Sequence, residues 1–166
     1  MLTQDELKSI FHYNPETGVF TWLIKPAKHL NIGKVAGNYD GDGYINITYK
    51  GKKLRAARLA WLYIHGISPT KNIDHINRIK TDNRICNLRT VTNSQNQMNI
   101  GLKKDNTSGY KGVTLCKITN KWRAMIRVNG KNKSLGYYDS IDVASKVYNK
   151  TAKELHGEFY FNDSQP

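Results

Sequence analysis

Two small α+β domains in tandem are what the sequence predicts, on three observations. Over 166 residues, short apolar runs of period two alternate with stretches of helical period. Lys50-Gly51 and Asn129-Gly130 supply turns at hairpin spacing between such runs. A polar, glycine-bearing stretch from Gln97 to Ser108 divides the chain into two blocks. The expected plan is an N-terminal domain over 1–100, built of hairpins, short helices and one strand–loop–strand–helix unit. A linker over 101–108 follows, and residues 109–166 form a small three-stranded antiparallel sheet packed on one helix. Length by itself admits one domain or two.

Thr3 and Glu6 make a capping box for a helix to about Phe11, with Leu7, Ile10 and Phe11 on one face. Tyr13 to Gly18 is turn chemistry, and Val19 to Trp22 reads as a strand. Pro26, Gly33, Gly37 and Gly41 among polar residues predict loops over 25–42, with at most a short strand. Tyr44 to Tyr49 alternates and Lys52 to Arg55 returns, which makes a β-hairpin. Arg55 to His65 carries Leu59, Leu62 and Tyr63 at helical spacing, with Trp61 beside them, and stops at Gly66.

The stretch from Asp74 to Asn99 organises the rest. Ile73 and Ile76 flank an adjacent Asp74-His75 pair, and Leu88 and Val91 flank Arg89 and Thr90. This predicts two short strands joined by a polar loop, then a helix from about Asn93. Packing the start of that helix on the first strand brings Asn96 near Asp74. A carboxylate and an amide oxygen are hard ligands that suit a Mg2+-like ion, which keeps its waters and borrows phosphate oxygens. His75 points to the other face of its strand, and imidazole, with a reference pKa of about 6.5, is available as a base near neutral pH. A polar hairpin with a buried histidine is the competing reading, and a lone Asp-His pair would favour it.

These residues resemble the ββα-metal core of the HNH endonucleases, in the branch common among phage and homing enzymes. The resemblance implies that His75 is the general base that activates water for attack on a DNA phosphate. It implies that Asn87, in its Asn-Leu-Arg setting, braces the loop and positions the histidine. It implies further that Asn96 binds one divalent cation, Mg2+ or Mn2+, together with Asp74. The N-terminal layout, with a helix and hairpins ahead of Arg58-Leu-Ala-Trp61, is similar to phage HNH enzymes as well. One departure is Ala57, where many relatives carry a histidine. His12 and His65 read as surface or packing residues. Arg58 either reaches a phosphate or is a solvated helix charge.

In the second block, Lys111 to Ile118, Lys121 to Val128 and Lys133 to Tyr137 are the expected strands, with Asn120 and Asn129-Gly130 turning the chain. Asp139 and Ser140 open a helix whose stripe reads Val143, Ala144, Val147, Tyr148, Ala152 and Leu155, ending by Gly157. Alternation places Trp122, Ala124, Ile126 and Val128 under the helix and Arg123, Met125 and Arg127 on the open face. A sheet presenting arginines suits the major groove, which admits β-ribbons. Ser-Gly-Tyr-Lys-Gly-Val113, Lys-Trp122-Arg-Ala, Leu135-Gly-Tyr-Tyr, Ala144, Tyr148 and His156-Gly-Glu to Phe161-Asn162 are similar to the Apetala/ethylene-response-factor DNA-binding domain. That resemblance covers about residues 107–162 and implies a sheet laid in the major groove. Thr114, Cys116 and Ser134 stand where the plant domains carry Arg or Trp, so the plant target sequence does not transfer.

The balance of 26 Lys and Arg against 13 Asp and Glu, a net +13, calls for a polyanionic partner with steep salt dependence. The excess is spread along the chain, with 14 basic against 7 acidic residues up to Asn99 and 12 against 6 after it. No apolar run of spanning length, insertable amphipathic helix or signal-peptide pattern points to a membrane. Cys86 and Cys116, without a CxxC pair, argue against a multi-cysteine zinc site and a disulfide scaffold. The expectation is therefore a site-specific DNA endonuclease, a monomer or weak dimer on double-stranded DNA, in the cytoplasm (the host cell's, if phage-encoded). Candidate DNA contacts are Arg58, Arg89, Lys103, Lys104, Lys111, Arg123, Arg127 and Lys133. Lys103 and Lys104 sit in a stretch that is either a plain linker or a basic segment lying along DNA. The alternative is a catalytically inactive DNA-binding or regulatory protein, with which the charge and the sheet agree equally well. RNA binding is disfavoured because the second domain's aromatics are expected to face its core.

Overall fold

The fold is α+β in a computed structural model that describes residues 2–25, 27, 31–102, 105–128 and 130–160. Two compact units divide the chain, Met1–Thr92 and Asn93–Pro166. The expected turn Asn129 and the motif residues Phe161 and Asn162 lie outside the described residues.

In the first unit, Thr3 caps helix α1 (Gln4–Ile10). Its hydroxyl accepts the Glu6 amide at 3.2 Å, while the Glu6 carboxylate accepts the Thr3 amide at 2.8 Å. The helix ends before Phe11. Strand β1 (Phe11–Asn14) begins there and pairs with β2 (Val19–Trp22), so the stretch read as a turn starts as a strand. The reason is packing: Phe11 and Tyr13 alternate inward against Phe20 and Trp22. Two-residue strands β3 (Val35–Ala36) and β4 (Asn38–Tyr39) follow. Gly37 between them needs its positive φ of 110°, because a Cβ there would lie 2.7 Å from the Ile45 side chain. Strands β5 (Ile45–Tyr49) and β6 (Lys52–Arg55) form the expected hairpin, and helix α2 (Ala56–His65) ends at left-handed Gly66. The sheets β1-β2-β3 and β4-β5-β6 and both helices share one core, centred on Leu7, Phe11, Phe20, Ile47 and Ala60. Ala57 is buried in it. Strands β7 (Asn72–His75) and β8 (Leu88–Val91) close the unit as an antiparallel pair.

The second unit opens with helix α3 (Asn93–Asn99). Its sheet runs β9 (Val113–Cys116), β10 (Lys121–Val128), β11 (Lys131–Tyr138), all antiparallel, with helix α4 (Ile141–His156) supplying the other layer. The core is small: Val113, Ala124, Ile126, Ala144, Tyr148 and Ala152. The apolar stripe of α4 is rotated from the expected one. Val143 and Leu155 are exposed, and the buried face is Ala144, Tyr148, Ala152 and His156, with Ser145 beside it. Alanines let the helix approach the sheet closely, and the bulkier Val143 and Leu155 would hold it away. β9 begins two residues later than expected because Gly112, at φ 69°, turns beneath Tyr148. A bulge places Leu135 between the pairs Ala124–Gly136 and Met125–Ser134. One expectation about aromatics fails, since Tyr137 pairs with Arg123 on the open face and is 48% exposed.

Candidate functional site

The register of β7 and β8 sets Asp74 opposite Arg89 and His75 opposite Leu88. Opposed residues share a sheet face, so Arg89 reaches directly across to the carboxylate. Its Nη2 and Nε lie 2.8 and 2.9 Å from the same oxygen, Asp74 Oδ2. Both side chains are largely enclosed, so the pair is shielded from the screening that weakens surface contacts. It also fixes the carboxylate's rotamer. Among the described residues no cluster of three or more His, Cys, Asp or Glu side chains could form a metal cage. One carboxylate, steered by an arginine on one oxygen, instead fits a hard cation that retains water and takes phosphate oxygens.

His75 is 5% exposed at the end of β7. The loop after it is built from asparagines. Asn87 Oδ1 accepts the Asn77 amide at 3.0 Å and Asn87 Nδ2 donates to the Asp82 carbonyl at 2.8 Å. The Asn87 carbonyl accepts the Ile76 amide at 2.9 Å, so this one residue closes the loop from both ends. Asn77 Nδ2 donates to Asp82 Oδ2 at 2.7 Å, and Arg84 makes a two-pronged pair with the same carboxylate at 2.8 and 2.6 Å. The Arg84 hydrogen bond, with Asn77 in support, pulls the Asp82 carboxyl down to about 2. Arg78 sits at φ 63°, a left-handed conformation that a loop this closely braced can hold.

Asn83 is the functional neighbour that sequence reasoning passed over. It is 1% exposed, and its Oδ1 lies 3.1 Å from His75 Nε2. Its carbonyl accepts the Tyr13 phenol at 2.7 Å, tying the loop to the hydrophobic core. Burial pushes that phenol up to about 12. The Tyr44 ring lies 6.0 Å from the His75 ring, centre to centre. Arg55 stacks over Tyr44 at 4.2 Å and Lys80 at 4.7 Å, while Asp40 pairs with Arg55 at 2.5 Å.

The remaining expected residues divide. Arg58 donates to the Pro69 and Lys71 carbonyls at 2.6 and 3.2 Å, which secures the segment leading into β7. Asn96 is half-buried on α3 in the second unit. Lys103 and Lys104 lie outside the described residues. Lys111 Nζ is anchored on the carbonyls of Met98 and Ile100 at the end of α3. Arg123 and Arg127 are on the open face of the sheet, Arg123 over the Tyr137 ring at 5.9 Å and Arg127 folded towards the Gly130 carbonyl at 3.2 Å. Lys133 is exposed but pairs with Ile126, so alternation places it on the opposite face from those arginines.

Residues 55–98, from the end of β6 through α3, match the HNH endonuclease family. Protein 3.8 of Escherichia phage T7 is 34% identical over 87 residues, which are 52% of this chain and 71% of that protein. An uncharacterized HNH endonuclease of Acanthamoeba polyphaga mimivirus is 33% identical over 124 residues, 73% of this chain and 63% of that protein. A solved structure described as DNA binding and cleavage by the HNH homing endonuclease I-HmuI is 25% identical and has a TM-score of 0.42, covering 87% of this chain and 76% of its own. No described helix is long and apolar enough to cross a membrane.

Proposed function

Because this chain belongs to the HNH endonuclease family, we propose that it is a site-specific DNA endonuclease of the phage or homing type, working with one divalent cation. The observation that carries the proposal is the end of β7, where a nearly enclosed His75 adjoins a carboxylate already oriented by Arg89, inside the residues that match the family. With Asn96 as the second ligand that the resemblance implies, Asp74 would hold the cation, Mg2+ or Mn2+. When bound it stabilises the charge that builds on the scissile phosphate and on the leaving 3′ oxygen. His75 takes the proton from the attacking water. Arg89 keeps Asp74 in one rotamer, and Asn87 holds the loop so that the imidazole does not swing away.

The second unit serves as the DNA-holding module, of the Apetala/ethylene-response-factor kind. Arg123 and Arg127 approach base edges in the major groove, and the spread of Lys and Arg, with Lys103, Lys104, Lys111 and Lys133 among them, neutralises phosphates. One active site cuts one strand per binding event, so a monomer nicks and a dimer breaks both strands. The enzyme acts on double-stranded DNA in the cytoplasm, the host cell's if it is phage-encoded.

A supercoiled plasmid carrying DNA from the protein's own genome tests this, with Mg2+, Mn2+ or EDTA, beside His75→Ala and Asp74→Ala. Nicked or linear product that needs the cation and falls by about 10²–10⁴-fold in His75→Ala, with DNA affinity intact, is the expected result. DNA binding with no cutting under any cation would overturn it in favour of a targeting protein.

A further inference from the structure

We infer that Asn83 is a positioning residue for His75, holding the neutral imidazole as its Nε2–H tautomer so that Nδ1 carries the basic lone pair. The inference rests on the reading of His75 as the base. Asn83 is an amide, with one end that accepts and one that donates, and its second contact decides which end faces the histidine. Asn83 Nδ2 lies 3.4 Å from the Thr81 carbonyl, which can only accept. The amide oxygen is therefore the atom turned to His75 Nε2, 3.1 Å away. A neutral imidazole has one N–H, and a facing oxygen acceptor selects the tautomer that places it there.

Asn83 is held so that it cannot retreat. Its carbonyl accepts the buried Tyr13 phenol at 2.7 Å. Gly18, at φ 72°, lies against the Asn83–Arg84 peptide so closely that a Cβ would sit 2.5 Å from the Arg84 nitrogen and 2.6 Å from the Asn83 carbonyl carbon. The amide thus meets His75 from a rigid support running back through the β1–β2 hairpin. When His75 takes a proton at Nδ1, the existing Nε2–H bond becomes charge-assisted and strengthens, which favours the protonated ring after the water has been activated. The asparagine supplies the acceptor without the charge.

Two measurements test this, and the first does not depend on activity. Nitrogen-15 NMR of the histidine rings in the full-length protein, with the His75 signals assigned by their loss in His75→Gln, distinguishes the two tautomers. Nε2–H is expected, and a predominant Nδ1–H ring overturns the inference whatever the nuclease does. In the cleavage assay, Asn83→Leu should lower the rate at saturating DNA by about 10–100-fold with DNA affinity unchanged. A Leu variant that cuts at the wild-type rate also overturns it. Wild-type protein with the Nε2–H ring but no cleavage would leave the tautomer standing and sink the nuclease reading alone.

Discussion

Both units bury polar side chains, but His156 in the second is treated unlike those in the first. In the first unit Asn46, Asp74, His75, Asn83 and Asn87 are all buried and all hydrogen-bonded, to Asp40, Arg89, each other or the loop backbone. In the second, His156 is as deeply buried at the end of α4, yet neither ring nitrogen makes a hydrogen bond of ordinary length and angle among the described residues, and neither does Arg123 Nε. A buried polar group left unpaired costs about 1–3 kcal/mol. The first unit therefore uses buried polarity to hold a site in place. At His156 the second unit tolerates it, because the helix face that must pack on the sheet repeats every four residues and its fourth position is a histidine.

Gly112→Ala gives the largest expected effect. Its Cβ would fall 2.1 Å from the Tyr148 ring and 2.7 Å from the Met125 carbonyl oxygen, at a φ of 69°. Overpacking and the left-handed backbone together should cost about 3–5 kcal/mol, enough to unfold a unit with so small a core. Hydrogen exchange should show protection lost across β9 to α4 and retained in α1 to β8. Equal loss in both would mean that the units are not independently stable.

Next comes Asn87→Ala, which strands the Asn77 amide and the Asp82 carbonyl at once. About 2–4 kcal/mol of first-unit stability should go, read by thermal unfolding, and cleavage should fall with it. A change below about 0.5 kcal/mol would show that water replaces the asparagine, and the contrast between the units would weaken.

Tyr13→Phe removes the phenol that supports Asn83, at about 1 kcal/mol near neutral pH. Its pH dependence is more informative. The phenol titrates near 12 in the folded protein, against 10 for an unburied tyrosine. Between those values the unfolded chain releases a proton that the folded chain keeps, so wild-type stability should fall as pH rises above 10, by up to about 1.4 kcal/mol per unit. The phenylalanine variant should lack that contribution in alkaline unfolding curves.

His156→Leu should do least at neutral pH, between no effect and a slight gain, since it removes unpaired nitrogens from an apolar face. Burial holds the His156 imidazole below its ordinary value, against the pull of the Arg127 backbone and with Lys111 pushing the same way. As pH falls through about 6.5, the unfolded chain gains a proton there before the folded one does, so this residue withdraws stability on acidification. Urea titrations of the variant should lose that acid sensitivity. A wild type with flat stability down to the carboxylate range would contradict the burial of His156.

Much of the first unit could be read along the chain. The capping box, the hairpin from Tyr44 to Arg55, and the helix closed by Gly66 depend on neighbours three or four residues away, and all formed. The Asp74-His75 pair, Asn87 and Arg89 could be singled out because their spacing is a local pattern. Asn83 could not be: nothing nearby distinguishes it from Asn72 or Asn77. What sets it apart is a hydroxyl 70 residues upstream and a glycine that lets the hairpin approach. The partner of Arg89 was equally hidden, because a one-residue change of register between β7 and β8 would have turned it to the other face.

The sequence by itself determined the class of fold, the order of its elements, the basic charge, and the set of residues from which a site could be made. Those follow from periodicity, turn chemistry and composition, which act over a few residues or over the whole chain. Only the tertiary structure decided that Asp74 is oriented by Arg89, that His75 rests on Asn83, and that the buried face of α4 is its alanine ladder. Each of these depends on which distant surfaces meet and how closely, and close packing rather than local preference makes that choice.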